Sequence, residues 1–229
     1  MLWCNDYCFV HYPKTAGKSL TRFFVKSWKA KEGVQPVSGF ISRGQVRELS
    51  DCALEETEIQ VGRGHENLEE SRRIITEVGL DITAMEAIFV CIRNPYDLMV
   101  SNYHFMRETY KNNRDKENFI IAHTNDFDSF CEKVGVSCPS KWMELDGAQP
   151  DNLHVIRFET LNADLISSAE QYGFRTPEID HLNSSKRGHY SDYISARSEK
   201  AIFEKLGYFF EQGYYERQEF PEVAIVKSA

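Results

Sequence analysis

The chain has 229 residues, 41% of them hydrophobic and 27% charged, with a formal net charge of −8. That length supports a full core, and the composition is that of a soluble globular protein rather than a disordered or fibrous one. The acidic balance argues against broad binding to nucleic acid or to an anionic membrane, and no apolar stretch approaches the roughly 20 residues that cross a bilayer. The first residues carry no basic segment followed by an apolar signal core. Met1 to Tyr12 reads instead as a first strand, so a cytoplasmic location is expected. Cys4, Cys8, Cys52, Cys91, Cys131 and Cys138 lack paired spacing and are expected to be structural thiols, with neither a zinc site nor a disulfide.

In chain order, the first strong element is the apolar run Tyr7–Tyr12, read as a strand. Pro13-Lys14-Thr15-Ala16-Gly17-Lys18-Ser19 follows as a glycine turn opening a helix near Lys18. Leu20, Phe23, Phe24, Ser27 and Trp28 fall on one face of that helix. A strand over Ile59-Gln60-Val61 ends at Gly62, and a second helix is marked by Leu68, Ile74, Ile75 and Val78. Ala87–Arg93 is a second continuous apolar run, followed by a helix with Tyr96, Met99, Val100 and Tyr103 on one face. Tyr110–Asn125 is polar and weakly periodic, and reads as a substrate-side loop or a mobile segment. Leu153–Phe158 gives another strand; beyond it the pattern is helical, clearest over Ala201–Phe210, while the tail after Gln218 has no assignment. Continuous rather than alternating hydrophobicity suits a parallel sheet covered on both faces. The expected fold is therefore α/β, a single domain over residues 1–229 with a central parallel β-sheet flanked by helices.

In such a sheet, ligands bind outside the carboxyl ends of the strands. Tyr12–Ser19, Gly62–Glu66, Arg93–Tyr96 and Phe158–Leu161 are all expected at that edge. The glycine turn gathers backbone N–H groups, two lysines and two hydroxyls at the positive end of a helix dipole, an arrangement that suits a phosphate or a group like one. An ATP-binding P-loop would need glycine where Tyr12 stands, and no apolar strand ends in an aspartate to help hold magnesium. A P-loop-type ATP-dependent kinase stays the alternative on those terms.

Two segments carry a family resemblance. Tyr-Pro-Lys-Thr-Ala-Gly-Lys-Ser-Leu at 12–20 resembles the 5′-phosphosulfate loop of sulfotransferases that use 3′-phosphoadenosine-5′-phosphosulfate (PAPS). Phe-Val-Cys-Ile-Arg-Asn-Pro-Tyr-Asp-Leu-Met-Val-Ser-Asn-Tyr at 89–103 resembles the family's 3′-phosphate segment, with Ser101 eight residues after Arg93. Arg157–Leu161 and Asn183-Ser184-Ser185 are similar to later family segments, more faintly. The resemblance implies a P-loop-NTPase-like sulfotransferase fold of the carbohydrate-type branch across nearly the whole chain, with PAPS as co-substrate, 3′-phosphoadenosine-5′-phosphate (PAP) as product and no metal. Lys14 would lie against the oxygen bridging sulfonate and 5′-phosphate. Backbone N–H groups from Thr15 through Ala16, Gly17 and Lys18 to Ser19, with the Thr15 and Ser19 hydroxyls and with Leu20 closing the motif, would hold the 5′-phosphate. Arg93 and Ser101 would clamp the 3′-phosphate, a task suited to arginine's planar fork. Arg187 and Gly188, after Lys186, would close over the 3′-phosphate and adenine; the alternative is a solvated basic turn. Lys18 departs from the family's usual small hydroxyl residue, losing one contact and gaining a charge.

Transfer to a hydroxyl needs a base for the acceptor proton. Of the seven histidines, His65 has the best position, behind the Gly62-Arg63-Gly64 approach, with Glu66 in reserve. His11, inside a strand, reads as packed, and His104 is a weaker candidate. The expected acceptor is a saccharide, glycoconjugate or small natural product; an amine acceptor and a catalytically inactive nucleotide-binding protein stay open.

Overall fold

The structure is a computed structural model that describes residues 1–33, 37–43, 49, 57–62, 64–175 and 187–224. The expectations for Arg63, Asn183-Ser184-Ser185 and Lys186, and the placement of Cys52, lie outside the described residues. The described strands are β1 (Leu2–Trp3), β2 (Tyr7–Val10), β3 (Val37–Ile41), β4 (Thr57–Val61), β5 (Ala87–Ile92) and β6 (Leu153–Arg157). The helices are α1 (Gly17–Lys29), α2 (Leu68–Glu77), α3 (Pro95–Glu108), α4 (Glu117–Thr124), α5 (Phe127–Lys133), α6 (Ser140–Met143), α7 (Leu161–Tyr172), α8 (Ala196–Leu206) and α9 (Tyr208–Glu211). They form two compact units, one of Met1–Ile92 with Lys141–Ser184 and one of Arg93–Ser140 with Ser185–Ala229.

The first unit is an α/β body around a six-stranded sheet in the order β4-β3-β1-β2-β5-β6. β2, β5 and β6 run parallel, as do β3 and β4, but β1 lies antiparallel between β2 and β3. The sheet is thus mixed rather than wholly parallel. The expected first strand is broken at Asn5-Asp6, where the Cys4 N–H reaches the Tyr7 carbonyl at 2.9 Å and turns the chain back on itself. Because β1 opposes both neighbours, the other five strands still point one way, and their carboxyl ends share one edge.

β2 and β5 are buried at every position, the condition that makes a strand read as an unbroken apolar run. Cys8 and Cys91 lie within them as buried thiols. β4 alternates and leaves Val61 55% exposed, as an edge strand does. β3 (Val-Ser-Gly-Phe-Ile) was not evident in the sequence because its centre is polar and small. A Cβ on Gly39 would stand 2.5 Å from the Met1 carbonyl oxygen, so glycine is what lets β1 pair there.

α1 buries Leu20, Phe23, Phe24, Ser27 and Trp28, the face read from the spacing. Phe24 packs on Phe9 and Phe89 with ring centroids 4.9 and 5.0 Å apart, and on Trp28 at 4.9 Å. Just past α1, Lys31 Nζ donates to the Tyr172 carbonyl at 2.8 Å and to the Tyr7 hydroxyl, fastening the end of α1 to β2 and α7. α2 starts on a capping box between Asn67 and Glu70 and buries Leu68 and Ile75. Val78, expected on that face, is the C-cap and is 57% exposed.

The second unit is helical. Asn94 Oδ1 accepts from the Tyr96 and Asp97 N–H groups, and Pro95 occupies the first helical position, so Asn-Pro starts α3. Tyr96, Met99, Val100 and Tyr103 are buried, as the spacing requires. Tyr110–Asn125 is not an irregular loop: it is a 3-10 turn at Tyr110–Asn112 followed by α4. Its weak periodicity has a physical source. α4 buries only Ala122 and is held by polar contacts, Asn118 exchanging hydrogen bonds with the Gly135 backbone at 2.9 and 3.0 Å while Tyr110 stacks on His123 at 4.0 Å. The tail after Gln218 is pinned to α3 and α8: the Gln218 N–H donates to the Tyr96 hydroxyl at 3.1 Å, Phe220 packs on Tyr96 at 4.9 Å, and the Ala196 N–H meets the Pro221 carbonyl at 2.8 Å.

The core of the first unit supplies a stability test. Phe89 is fully buried among Tyr7, Phe24, Trp28 and Tyr172. Phe89→Ala is expected to cost about 3–5 kcal/mol by urea denaturation, against less than about 0.5 kcal/mol for exposed Val78→Ala.

Candidate functional site

In the first unit, the segments behind β2, β4 and β6 lie at the shared carboxyl edge, as expected. Arg93–Tyr96 follows β5 in the chain and belongs to the helical unit. Behind β2 the backbone turns through two left-handed residues that are not glycine, Lys14 at φ 67° and Ala16 at φ 59°. Ala16 is the N-cap of α1, no side chain caps that end, and no acidic residue occupies the first turn. A helix start of this kind presents N–H groups and the positive end of the dipole with no built-in anion to answer them. Lys14, Ala16, Lys18 and Ser19 are half-buried around it.

Gly17 is required for a steric reason. A Cβ built there would fall 1.5 Å from His11 Nε2, inside the imidazole ring. His11 is itself held, with Phe9 stacked at 6.0 Å and His65 at 4.3 Å. The strand's last buried histidine and the loop's glycine therefore interlock.

Three sequence expectations for this loop change. Thr15 is fully buried and its hydroxyl donates to the Tyr12 carbonyl at 2.8 Å, so it fixes the turn from within instead of offering that proton to a phosphate. Leu20 is a core residue at 0% exposure, and its N–H closes the first helical hydrogen bond to Ala16 O at 3.0 Å. Glu66, the reserve base, is buried with its carboxylate engaged: Oε2 lies 3.0 Å from the Met1 nitrogen and Oε1 accepts from the Gly64 N–H at 3.1 Å.

His65 remains. As a residue it is exposed, but one side of its ring is crowded, with Nδ1 3.4 Å from the His11 carbonyl oxygen. That partial loss of water lowers its pKa, and the positive charges of the Met1 nitrogen and, least, of Lys14 act in the same direction. His11 is lowered much further, first by burial and then by His65. Both are neutral imidazoles at pH 7, and His65 is the one with access to solvent.

The second unit holds a separate cation cluster. Arg93, buried, donates from Nε to Asp97 Oδ2 at 2.6 Å and from Nη1 to Ser101 Oγ at 3.3 Å. Arg187 donates to the other oxygen of Asp97, and its side chain is only 7% exposed, so it is not a solvated turn residue. Gly188 is exposed beside Asp192. Tyr190 stacks on Tyr96 at 6.0 Å. Tyr193 meets His104 edge-on at 5.2 Å, and burial followed by the charge of Arg187 lowers the His104 pKa. Asp97 was not identified from sequence, although its i+4 helical spacing from Arg93 was a signal. His11, read as packed, is buried as expected, but its interlock with Gly17 had no local signal.

Among the described residues no group of three or more His, Cys, Asp or Glu is arranged to hold a metal ion, and no helix is long and apolar enough to cross a membrane. A family model described as "Sulfotransferase domain" matches residues 13–172. The chain is similar in fold to the crystal structure of mouse sulfotransferase SULT7A1 complexed with PAP, with a TM-score of 0.50 and 17% sequence identity over 93% of this chain and 86% of that one. A search of curated protein sequences gave no match.

Two measurements check this geometry. Gly17→Ala forces the His11 ring aside and is expected to cost about 1–3 kcal/mol, with a His11→Ala/Gly17→Ala double variant losing less than the sum of the single losses. Below pH 6.5 the folded state binds fewer protons than the unfolded one at His11 and His65, because both folded pKa values are depressed. The urea midpoint should therefore hold steady above pH 7 and fall as pH drops from 6.5, with a shallower fall in His11→Gln.

Proposed function

The chain belongs to the sulfotransferase family, and we propose that it moves a sulfonate group from PAPS to a hydroxyl of a saccharide, a glycoconjugate or a small natural product. The observation that carries this reading is the uncapped start of α1, with Lys14 on the left-handed turn before it and His65 packed on His11, whose ring lies against Gly17 of the same loop. Anion binding, charge stabilisation and proton removal are then available from one segment pair. The Pro-Lys-Thr-Ala-Gly form of the loop, which resembles that of carbohydrate-acting relatives, supports the saccharide class.

In this mechanism, backbone N–H groups from Ala16 to Ser19 and the half-buried Ser19 hydroxyl take the 5′-phosphate, and Lys18 adds a second cation at the same end. Arg93 and Ser101 take the 3′-phosphate, with Arg187 and Gly188 on the same nucleotide. His65 accepts the acceptor's hydroxyl proton as the oxygen attacks sulfur in line. The new O–S bond forms while the bond from sulfur to the bridging oxygen breaks, and its electron pair stays on the 5′-phosphate of the departing PAP. Lys14 stabilises the charge that builds on that oxygen, a contribution worth most where water is excluded. No step calls for a metal.

Calorimetric titration with PAP, beside ATP-magnesium and adenosine-5′-phosphosulfate, tests the nucleotide. PAP should bind tightest, and a preference for ATP-magnesium would return the chain to the kinase reading. In turnover with labelled PAPS, His65→Ala should lower kcat by about 10²- to 10⁴-fold with PAP affinity unchanged. Lys14→Ala should lower kcat by about 10²- to 10³-fold and weaken PAP as well. Since the His65 pKa lies below the ordinary histidine value of 6.5, activity should hold through pH 7 and fall only on the acid side of 6.5. A His65→Ala enzyme with wild-type turnover would remove the base from this scheme.

A further inference from the structure

Two guanidinium groups in one cluster repel each other. Arg93 and Arg187 are held together despite this, and the carboxylate between them is Asp97. Its Oδ2 accepts from both Nε and Nη2 of Arg93 at 2.6 Å, and its Oδ1 accepts from Arg187 Nη2. The side chains of Arg93, Asp97 and Arg187 are 10%, 19% and 7% exposed, so none of these bonds is a loose surface contact. An acidic residue in a helix's first turn needs no more than the macrodipole to account for it. Asp97 does more: it ties together two arginines that approach from distant parts of the chain, Arg187 being 90 residues away in sequence.

The spacing explains how one carboxylate reaches both. Asp97 lies four residues after Arg93 and four before Ser101, so Asp97 and Ser101 share a face of α3 and Arg93 spans them. The Arg93 guanidinium plane is set by paired bonds from Nε and Nη2 to one oxygen of Asp97, and Arg187 is tied through Nη2 to the other.

We propose that Asp97 is the positioning residue of the 3′-phosphate site, locking Arg187 to Arg93 before the nucleotide arrives. The pair is then pre-organised for a nucleoside 3′,5′-bisphosphate, and discrimination against a nucleoside 5′-monophosphate depends on the carboxylate although it does not touch the ligand. The assignment rests on the sulfotransferase reading above.

Calorimetric titration of wild type and Asp97→Asn with PAP and with 5′-AMP separates the two levels. The expected result is a loss of at least 10-fold in PAP affinity in Asp97→Asn, with 5′-AMP affinity changed less than twofold and a lowered melting temperature, since the two arginines lose the carboxylate between them. Arg187→Ala should then cost much less in the Asp97→Asn background than alone. An unchanged or tighter PAP affinity would mean that the carboxylate competes with the phosphate, and would overturn the assignment. Equal weakening of both nucleotides would reduce Asp97 to a structural role and overturn it too. Should Asp97→Asn fail to fold, the wild-type protein still decides: arginine Nε–H resonances without nucleotide should include a slowly exchanging signal from Arg93, and rapid exchange there sinks the proposal. Wild type that fails to prefer PAP over 5′-AMP overturns the sulfotransferase reading and this assignment with it; a preference that Asp97→Asn leaves undiminished overturns the assignment alone.

Discussion

The contact between the His11 ring and the bare Cα of Gly17 fixes where the loop before α1 can sit. Strand β2 delivers a buried imidazole at its end, and the loop closes over it only because residue 17 carries no side chain. Everything chemical in the sheet unit follows from that closure. It sets the start of α1, where Lys14 and Ala16 lie in the left-handed region, and the same His11 ring packs on His65 at 4.3 Å. The imidazole cannot protonate cheaply in that place, so it stays neutral at neutral pH, and its ring fills the space that glycine leaves.

A chain with a net charge of −8 must isolate its useful cations from its many carboxylates. The sheet unit does so by occupying Glu66 with the Met1 nitrogen and the Gly64 N–H, which keeps the carboxylate nearest His65 from acting as a competing base. The helical unit takes the opposite course and places Asp97 directly on its arginines. In one unit an acid is kept occupied; in the other it is made part of the cation group. Each device confines positive potential to a small region of its own unit.

The sequence was most informative where burial is two-sided or geometry is local. β2 and β5 stood out as unbroken apolar runs because both faces are covered, and α1 and the start of α3 because their apolar spacing and the Asn-Pro start are local signals. β3 was invisible because its central glycine answers a neighbour, the Met1 carbonyl, that no window around residue 39 contains. α4 looked like a loop because polar bonds to Gly135, not an apolar face, hold it. At the site, residue type put forward Lys14, His65, Arg93 and Ser101, while the bonds that engage individual groups depend on the folded chain. Thr15 and Leu20 belong to the right motif, yet one turns its hydroxyl inward and the other completes the core. Glu66 differs from His65 by a partner 65 residues away, which no local reading of the chain supplies.

Lys14 and Ala16 bear a conformation that costs an L-residue about 1–2 kcal/mol, and neither is glycine. A laboratory selection that rewarded thermal stability alone would push position 16 toward glycine, since the strain would vanish with the Cβ. The same change would loosen the turn that aims Lys14. Heat resistance and turnover would then pull this loop in opposite directions, and an engineer seeking a hardier enzyme should look for stability in the sheet core and leave these seven residues alone.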